Sequence, residues 1–257
     1  MKFTRRDTMI LAASAAMASY YGLGTAQAQE GTTKDVAKLA AVAVPDHVLG
    51  SEAAPVTVIE YASPTCPHCA AFHNTVYPLV KTEYVDTGKV KFIVRPFVRN
   101  VLDAVVFMLA EAAGPEQYHS VIETYFKTQS QWGIAEKPRD AILAIAKQLG
   151  FTDATFDAAL TNTELFNNME TMRKQAMDEF KLEGTPTFYV NGQQLTGDKS
   201  IEDLRAVIDP LVPADFVATQ PAPAAETAAP AAPAAPAAET TTPATPAPAA
   251  ETPKPAQ

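Results

Sequence analysis

The sequence predicts an α/β fold in which a wholly helical segment interrupts the sheet. Two β-rich stretches, residues 55–61 and 89–97, flank a helix-like run, and a strand–helix–strand order requires a crossover that makes the two strands parallel. From residue 101 to residue 183 no strand pattern recurs in the sequence. Strand character returns at residues 184–190, and Asn191-Gly192 follows as a strong signal for a two-residue hairpin turn.

Residues 1–28 have the composition of an export signal. A positively charged start precedes an apolar run at residues 9–20, which is short for a stable membrane span, and residues 26–28 form an Ala-x-Ala cleavage site. We expect cleavage to leave Gln29 as the mature N-terminus; an uncleaved membrane anchor is the alternative. Residues 4–7 resemble a twin-arginine signal, so export by the Sec or the twin-arginine route stays open.

The charge of the chain is strongly negative. The net charge is −9, and residues 1–28 hold three basic side chains and one acidic one, so the chain without them has a net charge of −11. A surface this acidic is a poor partner for nucleic acid or anionic lipid. The sequence also lacks a basic run and a Gly-rich phosphate loop. It therefore excludes a nucleic-acid-binding function.

The segment that precedes the sheet has weak signals. Residues 29–45 show helical spacing of apolar side chains until Pro45 interrupts it, which predicts a short helix or an ordered linker. Residues 47–50 predict a short first strand. In residues 55–61 nearly every side chain is apolar or β-branched, as in a central parallel strand buried on both faces. Glu60 is the exception, and it lies either in water at the strand end or buried for a purpose.

Cys66-Pro67-His68-Cys69 follows this strand and contains the only two cysteines of the chain. A helix-like run at residues 70–84 comes next. If the helix begins at Cys66, both sulfurs lie on its first turn. Helical Cα atoms three residues apart are separated by about 5–5.5 Å, which is within the range that a disulfide accepts. The pair can then open and close with little backbone movement, as a redox pair requires.

The position of the two thiols predicts their chemistry. A thiolate at a helix N-terminus faces free backbone N–H groups and the positive end of the helix dipole, so the pKa of Cys66 should fall. His68 can add a donor or a positive charge. A dithiol whose reduced form is stabilised forms an oxidising disulfide. We expect Cys66, as the less covered thiol, to be the attacking nucleophile and Cys69 to be the buried resolving thiol.

Two cysteines can also form a structural disulfide or half of a zinc site. A zinc site normally shows a second pair of ligands at similar spacing. The four histidines show no such pairing: they are His47, His68, His73 and His119. A disulfide across a two-residue spacer constrains the unfolded chain very little. The pattern therefore favours a redox pair and predicts no metal site.

Helical patterns account for the chain around the sheet. The helix after the motif should reach about residue 86, with a kink at Pro78. Residues 101–183 contain several amphipathic stripes separated by Gly and Pro signals, which predicts an all-helical insertion whose Met and aromatic side chains serve packing. Residues 201–211 predict a closing helix. Residues 213–257 are rich in Ala, Pro, Thr and Glu, which predicts a disordered tail, with a tether or spacer role as the alternative.

The order of these features resembles the DsbA-type thiol:disulfide oxidoreductases of the thioredoxin superfamily. The features are the strand, the Cys-Pro-His-Cys motif, the crossover strand, the helical insertion and Thr-Pro before a hairpin. The resemblance covers residues 46–211 and implies a thioredoxin-like fold with an inserted all-helical domain. The first part of the thioredoxin-like domain would be residues 46–100, the helical insertion would be residues 101–183, and the second part of the thioredoxin-like domain would be residues 184–212.

The resemblance also implies roles for residues outside the motif. Thr185-Pro186 resembles the cis-proline segment that faces the active site, where the backbone of Thr185 would bind an extended substrate; a trans proline at a strand start is the alternative. Thr185 departs from the Val that is common in enterobacterial members. Glu60 matches the buried acid that relays a proton to or from the resolving thiol. Lys91 resembles the ion-pair partner of that acid, with an ordinary solvated lysine as the alternative.

For the whole protein, the resemblance implies a periplasmic oxidase that donates its Cys66–Cys69 disulfide to unfolded or newly exported proteins with free thiols. It implies re-oxidation by a quinone-linked membrane oxidase of the DsbB type, a monomer, an apolar peptide groove near Pro186, and no cofactor beyond the redox-active disulfide. Two alternatives stay open. One is a reductase or isomerase of the same fold, although residues 29–45 are too few for the dimerisation domain of the isomerases. The other is a non-enzymatic thioredoxin-like protein that binds copper or peptides.

Overall fold

The structure is a computed structural model that describes residues 34–218. Its strands are β1 (Val48–Leu49), β2 (Val56–Ala62), β3 (Val90–Pro96), β4 (Thr187–Val190) and β5 (Gln193–Thr196). They form one five-stranded sheet in the order β1-β3-β2-β4-β5. The pair β2-β3 is parallel, and the other pairs are antiparallel. The predicted α/β class and the predicted parallel crossover are therefore confirmed.

β2 is the central strand and leads into the motif. Every side chain from Val58 to Ala62 is buried, as expected for a strand that has a neighbour on each side and helices on its faces. Glu60 is included in this buried stretch, opposite Val94 of β3 and Phe188 of β4. Of the two alternatives for this carboxylate, burial is the one that the structure has.

The crossover from β2 to β3 consists of α2 (Pro67–Thr75), α3 (Tyr77–Val80) and a π-helical turn (Lys81–Val85). The helix breaks at Val76, whose N–H donates to the carbonyl of Phe72. Pro78 is the second residue of α3 and has no N–H with which to continue the ladder of α2. The sequence predicted one kinked helix to about residue 86. The observed pieces span that stretch, and the break comes two residues before the proline.

Helices fill the chain between β3 and β4. Asn100, Thr152 and Asn162 each accept hydrogen bonds from backbone N–H groups in the first turn of a helix, as good N-caps do. Trp132 is buried, and its indole N–H donates to the carbonyl of Tyr125 at 2.9 Å. The helices are α4 (Val101–Ala113), α5 (Tyr118–Lys127), α6 (Gln129–Trp132), α7 (Pro138–Gln148), α8 (Asp153–Ala159) and α9 (Thr163–Asp178).

The predicted hairpin and a closing helix follow. Asn191 (φ 43°) and Gly192 (φ 90°) form the two-residue turn between β4 and β5, and positive φ at both positions is what a type I′ turn requires. The closing helix α10 (Ile201–Ile208) begins at a capping box on Ser200 and continues as a 3-10 turn (Asp209–Leu211).

The segment before β1 is held against the sheet by specific contacts. It contains a short helix, α1 (Val36–Ala40), which is one of the two predicted alternatives. The N–H of Lys34 donates to the carbonyl of Gly192 at 2.8 Å. Arg95 of β3 is 1% exposed and donates two hydrogen bonds to Asp46, at 2.7 and 2.6 Å. The segment is therefore an ordered part of the fold.

The predicted export signal, residues 1–28, lies outside the described residues, as does most of the predicted tail. In the stretch from residue 34 to residue 218, no helix has the length and apolar character needed to cross a membrane.

Candidate active site

The Cys-Pro-His-Cys motif lies where β2 ends and α2 begins. Cys66 is the N-cap residue, with an extended backbone (φ −80°, ψ 120°), and Pro67 occupies the first turn of the helix. An N–H at this point has no partner in a helix, so its absence from proline costs no hydrogen bond. Cys69 lies on the first turn, and the N–H of Ala70 donates to the carbonyl of Cys66 at 3.1 Å.

A buried carboxylate fixes the loop that joins β2 to the motif. Asp103 of α4 accepts hydrogen bonds from the hydroxyl of Ser63 at 2.9 Å, from the N–H of Thr65 at 2.8 Å and from the N–H of Arg99 at 2.9 Å. Ser63 and Asp103 are fully buried. Because Thr65 precedes Cys66, this network sets the backbone at the start of the motif. Sequence reasoning missed Asp103, which lies 38 residues from Thr65 in what looked like an ordinary helix start.

Gln129 connects the helical region to the motif. Its side-chain amide donates to the carbonyl of Pro64 at 2.7 Å and to the carbonyl of Cys66 at 2.9 Å. Gln129 is the first residue of α6, the short helix that also contains Trp132. A single glutamine after a helix end belongs to no recognisable motif, so the sequence offered no signal for this contact.

The two sulfurs are covered to nearly the same degree. Cys66 is 2% exposed, Cys69 is fully buried, and both are free thiols. Sγ of Cys66 lies 3.3 Å from the carbonyl oxygen of Thr185. Cys66 is the less covered of the two thiols, as expected, although the margin is small.

The two thiols have opposite pKa shifts. A hydrogen bond from Cys69 is the main reason that the pKa of Cys66 falls to about 5; burial opposes the shift, while Thr185 and the backbone N–H groups of Cys69 and His68 support it. Burial is the main reason that the pKa of Cys69 rises well above its ordinary value, and the hydrogen bond with Cys66 and the negative charge of Glu60 add to the rise. At neutral pH, Cys66 is therefore a thiolate and Cys69 a thiol.

The imidazole of His68 has a partner that the sequence did not reveal. Its Nδ1 lies 2.8 Å from a carboxylate oxygen of Asp198, in the loop between β5 and α10. The two side chains are 63% and 65% exposed, so water screens the interaction strongly. The backbone N–H of His68 is the part of this residue that lowers the pKa of Cys66.

The Thr185–Pro186 peptide bond is cis, which excludes the alternative of a trans proline. Pro186 is buried and Thr185 is half-buried, directly before β4. The carbonyl of Thr185 is the group that contacts the sulfur of Cys66. The structure thus brings Thr185, Pro186 and the motif together.

Glu60 is paired with a histidine. Nε2 of His73 lies 2.8 Å from Oε2 of Glu60, and the two side chains are 2% and 0% exposed. The prediction that Lys91 is the partner of Glu60 is wrong, because the Lys91 ammonium lies 3.8 Å from Glu52 instead. In the register of β2 and β3, Lys91 stands opposite Thr57, at a different level of the sheet from Glu60.

An apolar cleft opens beside the active-site loop. It has a volume of about 360 Å³, and its lining includes Val101, Met108 and Phe166. Val101 is 68% exposed and Phe166 is 37% exposed. Asn100, the neighbour of Val101, donates to the hydroxyl of Thr65 at 2.8 Å, so the cleft begins next to the motif. Among the described residues, no three His, Cys, Asp or Glu side chains are grouped as a metal site.

Similar sequences include proteins named for disulfide chemistry. A protein of Rickettsia felis named as a protein-disulfide oxidoreductase is 33% identical over 168 residues, which cover 64% of this chain and 59% of that protein. The chain thus spans about three fifths of the length of this curated relative. A protein of Bacillus cereus named as disulfide bond formation protein D is 30% identical over 176 residues, which cover 63% of this chain and 76% of that protein.

Similar solved structures are DsbA-type proteins. A double variant of alpha-DsbA1 from Wolbachia pipientis has a TM-score of 0.63 at 26% identity and covers 68% of this chain and 94% of its own. A protein-disulfide isomerase from Novosphingobium aromaticivorans has a TM-score of 0.57 at 25% identity and covers 65% and 97%. A family model described as thioredoxin matches residues 42–210, which include all five strands and the helices between β3 and β4. The chain belongs to the thioredoxin family, with the thioredoxin-like fold of its DsbA-type neighbours.

Proposed function

We propose that the chain is a periplasmic thiol:disulfide oxidoreductase that donates its Cys66–Cys69 disulfide to newly exported proteins with free thiols. The observation that carries the proposal is the contrast between the two thiols: the pKa of Cys66 is about 5, and that of Cys69 is raised well above its ordinary value. A stabilised thiolate favours the dithiol form, so the disulfide is a strong oxidant. The names of the similar Rickettsia felis and Bacillus cereus proteins support the same class of reaction.

The exchange consists of two transfers between sulfurs. A substrate thiolate attacks Sγ of Cys66, a mixed disulfide forms, and Cys69 leaves with the electron pair of the broken bond and takes up a proton. A second substrate thiolate then attacks the substrate sulfur of the mixed disulfide, and Cys66 leaves as a thiolate. The substrate loses two electrons and gains a disulfide, while the protein becomes the dithiol. The low pKa of Cys66 makes it a good leaving group.

The surroundings of the motif suit an unfolded substrate chain. The carbonyl of Thr185 lies 3.3 Å from the sulfur of Cys66, so the backbone beside the cis proline Pro186 is in place to bind an extended peptide. The cleft at Val101 and Phe166 offers an apolar surface next to the same loop. Apolar side chains of an unfolded substrate would fill it.

The proposed cycle includes a second partner. After each donation the dithiol needs an electron acceptor, and we assign this role to a quinone-linked membrane oxidase of the DsbB type. The predicted export signal supports a periplasmic site of action, and the protein would act as a monomer. Exchange between sulfurs requires no metal and no organic cofactor.

The midpoint reduction potential of the purified dithiol pair, measured in glutathione buffers, tests the direction of the reaction. We expect a value nearer to about −120 mV, as in strong disulfide oxidants, than to about −270 mV, as in thioredoxin. A value near that of thioredoxin would contradict the oxidase and favour a reductase.

Single-cysteine variants test the assignment of the two thiols. We expect Cys69→Ser to accumulate mixed disulfides with a disulfide-containing substrate, because the Cys66 thiolate can attack that disulfide and no resolving thiol is left. Cys66→Ser should accumulate none, since the thiol that remains is buried and protonated. Non-reducing electrophoresis distinguishes the two, and the reverse pattern would show that the roles are exchanged.

A further inference from the structure

His73 and Glu60 form a buried pair beside the resolving thiol. The imidazole Nε2 and the carboxylate Oε2 are 2.8 Å apart, and the side chains are 2% and 0% exposed. His73 stands one helical turn after Cys69 in α2, on the same face of the helix. Glu60 is near enough for its negative charge to raise the pKa of Cys69. The pair is therefore in electrostatic contact with the thiol that gains and loses a proton in each cycle.

Two polar atoms of this pair have no hydrogen-bond partner within the described chain: Oε1 of Glu60 and Nδ1 of His73. They are two of the six buried side-chain atoms of this kind in residues 34–218, although buried polar groups are normally paired. The rings of Tyr77 and His73 are 4.9 Å apart.

A half-buried carboxylate, Glu123 of α5, interacts with the same group of side chains. Its negative charge and a side-chain hydrogen bond act on Tyr77, and the charge of His73 acts on Glu123. Phe126 of α5 stacks on the imidazole of His73 at 4.2 Å and fixes the plane of the ring. The titratable groups that act on the pair or on Glu123 from the surrounding elements are Cys69 of α2, Tyr77 of α3, Lys81 of the π-helical turn and His119 of α5.

We propose that His73 is a positioning residue that controls, through its hydrogen bond to Glu60, the transfer of a proton between Glu60 and Cys69 in each thiol–disulfide exchange. The inference rests on the proposed function of the same site. His73, on the helix of the motif, takes the place beside Glu60 that Lys91 of the neighbouring strand was expected to occupy.

The proton movements balance in both directions. When Cys69 leaves as a thiolate, it takes a proton from the carboxyl of Glu60. Glu60 then stays a carboxylate in the dithiol form and accepts the hydrogen bond of Nε2–H of His73. When the dithiol is re-oxidised, Cys69 gives its proton back to Glu60, so the Glu60–His73 pair holds one proton more in the disulfide form than in the dithiol form. No electron passes through the pair, since all redox change stays on the sulfurs.

Exchange with oxidised glutathione tests the proposal, because it separates two steps. The Cys66 thiolate first forms a mixed disulfide, and Cys69 then resolves it; acid quenching and mass spectrometry follow both species over time. We expect His73→Gln to slow the second step by about tenfold or more and to remove its pH dependence near neutrality, while the first step is unchanged. Glutamine keeps a donor for Glu60 but does not titrate in this range. Lys91→Gln is the matched control and should change neither step.

A measurement on the unaltered protein covers the case in which His73→Gln does not fold. Nitrogen NMR of the imidazole reports the protonation of His73 in the reduced and the oxidised protein at the same pH. We expect it to differ between the two states. An identical titration in both states, or an unchanged second step in folded His73→Gln, would overturn the proposal. A thioredoxin-like midpoint potential would overturn the oxidase function instead and would leave this test intact, because glutathione exchange proceeds in either case.

Discussion

At Cys66, the redox chemistry and the stability of the protein depend on the same proton. The pKa of this thiol is about 5 in the folded protein, against an ordinary value of 9.0. Between these values the unfolded chain keeps a proton that the folded dithiol has lost, so the stability of the reduced form rises with pH. We expect the free energy of unfolding of the reduced protein, minus that of the oxidised protein, to increase from pH 5 to pH 8. Guanidinium unfolding followed by circular dichroism measures both forms.

The oxidised protein is the internal reference for this prediction, because it has no thiol to titrate and shares nearly all other groups. As the pH falls through 5, the advantage of the reduced form should disappear. In the Cys66→Ser variant, which cannot form the disulfide, the free energy of unfolding should not show this increase between pH 5 and pH 8. A constant difference between the two redox forms across this range would contradict a low pKa at Cys66.

At the residue scale, the sequence predicted the motif and Glu60 because short spacings fix them, and it failed where a partner comes from another element. Lys91 was assigned from the family resemblance as the ion-pair partner of Glu60, but the register places it opposite Thr57. The actual partner, His73, was within reach of sequence reasoning, since it shares a helix face with Cys69. Asp198 was not, because 130 residues separate it from His68.

At the element scale, the side chain of Gln129 connects α6 to the active-site loop through hydrogen bonds. Gln129 donates to the carbonyls of Pro64 and Cys66. We expect Gln129→Ala to lower the free energy of unfolding by about 1–2 kcal/mol, because two hydrogen bonds are lost and the carbonyls are half-buried. Chemical denaturation measures the loss.

Gln131→Ala is the matched control, since Gln131 lies on the same short helix and is exposed. It should change the free energy of unfolding by less than about 0.5 kcal/mol. Equal effects of the two substitutions would show that helix propensity, and not the contact with the motif, is responsible.

Periodicity predicted most elements because each strand and helix buries one consistent face. The strands around Glu60, the hairpin at Asn191-Gly192 and the helices between β3 and β4 all follow such patterns. The break at Val76 and the π-helical turn after α3 did not follow from the pattern, because the residues there keep helical spacing and packing decides how the helix continues. The short strand β1 was predicted from only four residues, and it pairs as the edge of the sheet.

At the scale of the whole molecule, a buried histidine limits the range of acid stability. His119 is 8% exposed and donates to the carbonyl of His47 at 2.8 Å, which joins α5 to the segment before β1. Burial is the main reason that its pKa falls from 6.5 to about 4. Below pH 6.5 the unfolded chain takes up a proton that the folded protein does not bind. This group should therefore remove up to about 3 kcal/mol of stability as the pH falls from 6.5 to 4.

The oxidised form of His119→Gln tests this dependence without interference from the thiols. Glutamine can keep the hydrogen bond to His47, and we expect the loss of stability between pH 6.5 and pH 4 to be smaller than in the parent protein. Ser120→Ala, at the exposed neighbouring position, should leave the slope unchanged. If the free energy of unfolding of His119→Gln falls with pH as steeply as that of the parent protein, groups other than His119 cause the acid sensitivity.

Contacts of this kind lie beyond the reach of sequence patterns. Asp46 and Arg95 are 49 residues apart, and His47 and His119 are 72 residues apart. Local propensity contains no information about such pairs. The sequence therefore predicted α1 only approximately. It did not predict the contacts that hold the segment before β1 against the sheet.

Trp132 is the only tryptophan of the chain, and it is buried on the four-residue helix whose first residue holds the carbonyl of Cys66. The indole therefore lies within one helical turn of a residue that contacts the redox motif. Formation or reduction of the Cys66–Cys69 disulfide should change the intrinsic fluorescence of Trp132, which can then follow turnover in real time without a label.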